Sequence, residues 1–166
     1  MGRPIKTHTK VKNIDLAYIA GFLDGDGSVM VQVKKTKFSP KGWRLMFTIC
    51  FYQDSKHAQP LSWIKKKLQI GYLSYRNDGI TEFRVNGYAQ TENILKELFP
   101  YLHFKKKQIG MILEILRLMH NKKIGQLEKK ERIKIADLIY QSRKLTYKSG
   151  WKNLSKTKRL REIIGY

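Results

Sequence analysis

Disulfides are the first thing this sequence rules out: it holds one cysteine, Cys50, in 166 residues. A lone thiol excludes an internal disulfide framework and fits a reducing compartment. No apolar run approaches the roughly 18 residues that a membrane-spanning helix needs. The N-terminal residues show no signal-peptide core, and Met1-Gly2-Arg3-Pro4-Ile5-Lys6 lacks the Ser or Thr of a myristoylation signal. The histidines and the cysteine have no zinc-ligand spacing, and neither a Gly-rich phosphate loop nor a nucleophile elbow occurs. An intracellular protein is expected, neither secreted nor embedded in a membrane.

Acidic side chains are scarce as well. Asp and Glu number 13 against 34 Lys and Arg, a formal net charge of +21. Self-repulsion of that size works against a compact state, so a polyanionic partner is the expected counterweight. Nucleic acid is the first candidate and an anionic membrane the second. Hydrophobic residues at 42% and aromatics at 11% make the composition globular. The length suits one domain with its own core.

Residues 1–13 are basic and without periodicity, and read as an arm ahead of a single domain over 14–166. Asn13 or Asp15 can cap a helix from about Ile14 to Asp24. The period then becomes two: Val29, Val31 and Val33 point one way, Met30, Gln32 and Lys34 the other. Ser39-Pro40-Lys41-Gly42 marks a turn before a strand from Trp43 to Tyr52, apolar at Leu45, Phe47, Ile49 and Phe51. Pro60 opens a helix that ends near Gly71. A hairpin from Tyr72 to Arg76 and Ile80 to Val85 turns at Asn77-Asp78-Gly79. Helices follow over Thr91–Leu98 and Lys105–Met119, and basic helices from Glu128 onward. The order αββαββα plus C-terminal helices makes an α+β domain with a four-stranded antiparallel sheet.

The most informative stretch is Ile19-Ala20-Gly21-Phe22-Leu23-Asp24-Gly25-Asp26-Gly27. Small residues at Ala20 and Gly21 let a second backbone approach this helix. Two carboxylates stand at its exit, the negative end of the helix dipole, where a cation is needed to make them favourable. A metal site at a helix–helix junction is the physical reading. An EF-hand loop starting at Asp24 is excluded, because Val29 stands where its glycine belongs and Lys35 where its bidentate Glu belongs.

These nine residues resemble the signature of the LAGLIDADG homing endonucleases, with Ile19, Phe22, Leu23 and Gly25 as mild replacements. The element order is similar to that family's fold over nearly the whole chain. No second such run occurs, which places the resemblance in the single-motif, homodimeric branch. The resemblance implies Asp26 as a metal ligand, the Gly25 carbonyl as a second, Gln53 as a residue that orients water, and Lys105 as a stabilising charge. His57 falls where relatives often carry a fixed cation such as Arg, and histidine is only partly charged at neutral pH. Asp24 is expected to fix the motif helix by accepting local hydrogen bonds, and Ile19, Ala20, Gly21, Leu23 and Asp24 to form the dimer interface. The implied cofactor is Mg2+, two or more ions per dimer, with Mn2+ or Ca2+ able to substitute in binding.

The polar face of the sheet carries Met30, Gln32, Lys34, Arg44, Cys50, Ser74, Arg76, Glu82 and Arg84. Forked donors and amides of this kind bond guanine and adenine edges in a major groove, although an ordinary solvent face looks similar. About nine residues from Val29 span roughly 30 Å, or about nine base steps. Lys148, Lys156, Thr157 and Lys158 can neutralise phosphates, and Ser155-Lys156-Thr157 resembles a backbone-contacting stretch of single-motif relatives. Against a membrane partner stands the sheet's period of two, where a surface helix would show 3.6.

The leading expectation is a homodimeric, site-specific double-strand DNA endonuclease that cuts a long pseudo-palindromic site by Mg-dependent phosphodiester hydrolysis. An intron RNA maturase, with RNA as partner, and a non-cleaving DNA-binding regulator are the alternatives. The resemblance implies an organellar (chloroplast or mitochondrial) or a bacterial or phage setting.

Overall fold

The computed structural model describes residues 11–37, 42–120, 122, 124–146, 160 and 164. The elements run α1 Asn13–Asp26, β1 Gly27–Lys35, β2 Trp43–Asp54, α2 Gln59–Leu68, β3 Tyr72–Tyr75, β4 Ile80–Asn86, α3 Tyr88–Leu98, α4 Lys106–Leu118 and α5 Lys129–Lys144. Single 3-10 turns follow β2, α3 and α4. The strands form one antiparallel sheet in the order β1-β2-β4-β3.

Alternation of side chains along each strand sorts the sheet into two faces. Val29, Ile49 and Val85 lie in register across β1, β2 and β4 on the face that packs against the helices. There Phe47, Phe51 and Phe83 are 2% exposed or less, under Ile19 and Leu23 of α1 and Leu61 and Ile64 of α2. Burying one such side chain contributes about 1.5–3 kcal/mol, so this layer is what fixes α1 on the sheet. In the opposite face, Cys50, Arg84 and Tyr72 form one cross-strand row and Tyr52, Glu82 and Ser74 the next.

Several expected boundaries shift for local reasons. α1 runs through Asp26, two residues past the expected end, and Gly27 closes it. A Cβ at Gly27 would stand 2.8 Å from the Leu23 backbone, so glycine is required where the helix passes directly into β1. Neither Asn13 nor Asp15 caps the helix; the N-cap is Lys12, without a side-chain cap bond. Asp15 instead pairs with Lys67 of α2 at 2.7 Å, tying the two helices together. α3 starts at Tyr88, earlier than expected, because Gly87 (φ 114°) turns the chain and its carbonyl accepts from Thr91 N at 3.2 Å. Glu128 and Glu131 form a capping box that starts α5.

β1 is an edge strand, and its outer carbonyls are covered by the C-terminal helices. Gln108 of α4 donates to Val29 O at 3.4 Å and Arg143 of α5 to Val31 O at 2.7 Å. Covering an edge in this way removes a template for aggregation. Of the basic tail beyond Thr146, only Leu160 and Ile164 are described; both are helical and buried in the same core.

Candidate active site and nucleic-acid interface

Two helix ends meet at the acidic tip and neutralise each other. Asp24, 7% exposed, accepts the backbone N–H groups of His103 at 2.6 Å, Phe104 at 3.2 Å and Lys105 at 3.0 Å. Those amides lead into the N-terminus of α4, where unpaired donors and the helix dipole favour an anion. In return the Lys105 ammonium donates to the carbonyl of Asp24, and to that of Gly25 at 3.5 Å. It thereby satisfies orphan carbonyls at the C-terminus of α1. Burial pushes the Lys105 ammonium below the ordinary lysine range, with Asp24 and then Asp26 pulling the other way. The cation at an unfavourable helix end is thus explained, since Asp24 supplies the anion that this end requires.

Beside this junction opens a cavity of about 760 Å³ whose walls include Gly25, Asp26, Gln53, Phe104, Lys105 and Gln108. Asp26 is exposed at its mouth, and Gln53, half-buried near the end of β2, accepts the Asp54 N–H at 2.9 Å. Four of the residues singled out from the sequence, Gly25, Asp26, Gln53 and Lys105, therefore share one wall system. His57 does not join them. It is exposed on the 3-10 turn after β2 and is not part of the cavity wall, although Asp54, which caps the turn through Lys56 N at 2.8 Å, does line it.

The donors at the tip are oxygens: a carboxylate, a main-chain carbonyl and a side-chain amide. Hard cations such as Mg2+ prefer such ligands, accept few of them and keep their waters. Among the described residues no group of three His, Cys, Asp or Glu could enclose a metal. Among the described residues the set is an open one of oxygen donors, unlike a closed zinc-type site.

On the polar face of the sheet, Lys34, Arg44 and Arg76 are exposed, and Met30, Gln32, Ser74 and Arg84 partly so. Two expected contact residues are not available to a ligand. Cys50 is 0% exposed, and burial raises its thiol above the ordinary range. Its neighbours on the face cover it, which removes it from the expected DNA-contacting set. Glu82 is 3% exposed and bound by Arg76 and Arg84, so it holds side chains rather than reading bases.

A further row was not read from the sequence. Thr48 donates to Asn86 Oδ1 at 2.7 Å, and Asn86 Nδ2 donates to Tyr72 OH at 3.1 Å. Continuing the alternation from Arg84 by two residues would have found Asn86. Lys148, Lys156, Thr157 and Lys158 lie outside the described residues, as does most of the N-terminal arm.

The outward face of α1 also differs from the expected interface. Ile19, Ala20 and Leu23 are fully buried in their own core, and Asp24 is turned to α4. Ile14 and Tyr18 are 76% and 52% exposed, and a Cβ at Gly21 or Gly25 would meet nothing within 4 Å. Helical spacing puts residues 14, 18, 21 and 25 on one side, and that side is the open one.

A profile of the LAGLIDADG endonuclease family matches residues 19–116. DNA endonuclease I-CvuI of Chlorella vulgaris is 30% identical over 121 residues, 73% of each chain. DNA endonuclease I-CreI of Chlamydomonas reinhardtii is 28% identical over 116 residues, 70% of this chain and 71% of that one. A crystal structure of I-CvuI in complex with its target, in the presence of calcium, superposes with a TM-score of 0.76 at 24% identity, covering 93% of this chain and 96% of that one. Among the described residues no helix is long and apolar enough to cross a membrane.

Proposed function

Because the chain belongs to the LAGLIDADG endonuclease family, we propose that it is a site-specific DNA endonuclease that works as a homodimer and uses Mg2+. The observation that carries this reading is the meeting of Asp26, Gly25, Gln53 and Lys105 in one cavity at an exposed helix tip. A non-cleaving binder has no use for that set.

Two exposed carboxylates line the cavity, and Asp54 is engaged in capping the turn at Lys56 N, which leaves Asp26 as the one free to meet a divalent ion, too few for one chain alone. Pairing two chains along the open face of α1 brings two Asp26 side chains together, one for each strand of a duplex. A divalent ion held there supplies charge to polarise the phosphoryl group and to acidify a bound water. Asp26, helped by the Gly25 carbonyl, is the residue that holds it. Gln53 orients water near the scissile phosphate, and Lys105 offers positive charge to the phosphate and the leaving oxygen. Asp24 acts one step back by holding Lys105 and the two helix ends in place. The exposed arginines and lysines of the sheet face the major groove, and the net charge of +21 draws the duplex.

A cleavage selection on randomised duplex DNA tests this. With Mg2+ the protein is expected to enrich one long, nearly palindromic site and to stop when the metal is chelated. Binding that site without cutting it would replace the enzyme by a regulator, and cutting that survives chelation would remove the metal from the mechanism.

A further inference from the structure

On the polar face of the sheet, an acid is out of place twice. It repels phosphates, and in a buried position it loses its water. Glu82 is nevertheless there, in the central strand β4, with Tyr52 and Ser74 opposite it on β2 and β3. Its carboxylate receives Arg76 Nη1 at 3.1 Å and Arg84 Nε at 2.6 Å. Burial alone would raise its pKa, but the bonds from Arg84 and Arg76 outweigh that and the net shift is downward, so the group is ionised.

The two arginines are held differently. Arg76 has a second acidic partner, Asp78, in the hairpin turn. Arg84 meets Glu82 through Nε, the nitrogen that is not part of the terminal pair. A bidentate hydrogen bond to a guanine edge uses two donors of a guanidinium, so a tether at Nε orients the group and leaves the terminal pair unspent on the carboxylate. A long side chain fixed before binding also has less freedom to lose on binding.

We propose that Glu82 is a positioning residue for specificity: without touching DNA, it orients Arg76 and Arg84 so that this end of the sheet discriminates between base pairs. The proposal rests on the sheet face being the DNA surface. It differs from a merely structural role in sign. Losing a negative charge strengthens attraction to any phosphate backbone, whereas losing the tether weakens discrimination only under the two arginines.

The test compares base preference in the same randomised duplexes for the wild type, Glu82→Gln, Arg76→Lys and Arg84→Lys. The lysine variants define the base pairs that the two arginines read. At those positions Glu82→Gln is expected to reduce discrimination from about tenfold or more to within about threefold. Preference elsewhere stays as in the wild type, and affinity for unrelated duplex is equal or tighter. A Glu82→Gln profile identical to the wild type at those positions overturns the proposal, and so does an equal loss at every position. If Glu82→Gln does not fold, Glu82→Asp, one methylene shorter, must broaden the same positions. Proton exchange at Arg84 Nε, followed by NMR without DNA, is expected to be slow in the wild type and faster in Glu82→Gln. A wild type with no base preference but a slow Nε proton would sink the DNA reading of the face, and the proposal with it. An equally fast proton in both proteins would sink the tether itself.

Discussion

Removing the Asp24 carboxylate should unlock the junction of α1 and α4. Asp24 accepts three backbone N–H groups, at 2.6, 3.2 and 3.0 Å, and is 7% exposed. A buried donor left without a partner costs about 1–3 kcal/mol, and three would cost roughly 3–9 kcal/mol. Water from the adjacent cavity can reach part of this site, which brings the expectation for Asp24→Ala to about 3–5 kcal/mol. At about 2–4 °C per kcal/mol for a chain of this size, the melting temperature should fall by roughly 6–20 °C. Asp24→Asn keeps one acceptor oxygen and should lose less than half of that. Lys105→Met leaves all three N–H bonds in place and should change melting little, while impairing cleavage. If Asp24 works through Lys105, Asp24→Asn should slow cleavage as well, and the double variant Asp24→Asn, Lys105→Met should cleave no more slowly than Lys105→Met alone. Thermal unfolding followed by circular dichroism, together with single-turnover cleavage, gives both readings. An Asp24→Ala protein that melts within about 2 °C of the wild type would refute the reasoning, because three part-buried amides at a helix start cannot all lose their acceptor without cost.

Two further outcomes follow from burial and charge. Tyr18→Asp, on the open side of α1, is expected to convert a dimer to a monomer in sedimentation and to lower melting only by the lost pairing and its edge contact with Trp63. Leu23→Ala, behind that side, is expected to cost about 2–5 kcal/mol instead, as a core truncation; the opposite pattern would mean that α1 is turned the other way. Tyr88 donates to the Leu116 carbonyl, and burial, with Glu92 nearby, pushes its phenol up to about 12 from 10.0. Its stabilising share is complete below the unfolded value of about 10 and is lost as pH rises towards about 12. Melting of Tyr88→Phe should therefore fall less steeply than the wild type over that window, and parallel curves would contradict the shift.

The sequence made the fold legible because its periods are local. Val29, Val31 and Val33, and then Phe47, Ile49 and Phe51, show the alternation of half-buried strands, and Asn77-Asp78-Gly79 marks the hairpin. What it did not show is long-range. Asp24 meets residues 79–81 positions away, so no local pattern announces that it caps α4. The same contact lets α1 run to Asp26, since Lys105 covers carbonyls that would otherwise end the helix. Cys50 and Glu82 sit on the expected face, but alternation assigns a side and not an exposure; the arginines above Glu82 decide that. The resemblance puts Ile19 and Leu23 at the interface, whereas the 3.6 period turns them to the sheet and leaves Ile14, Tyr18 and Gly21 outside. His57 rests on resemblance alone, and it stands on a 3-10 turn outside the cavity wall.

The most direct test is to compare wild type and Asp26→Asn on the selected duplex, measuring affinity by titration and strand scission in Mg2+ side by side. Binding within about threefold of the wild type, with scission slowed by about a thousandfold or more, is the expected result for the carboxylate that holds the ion. Scission by Asp26→Asn at close to the wild-type rate would contradict the central assignment.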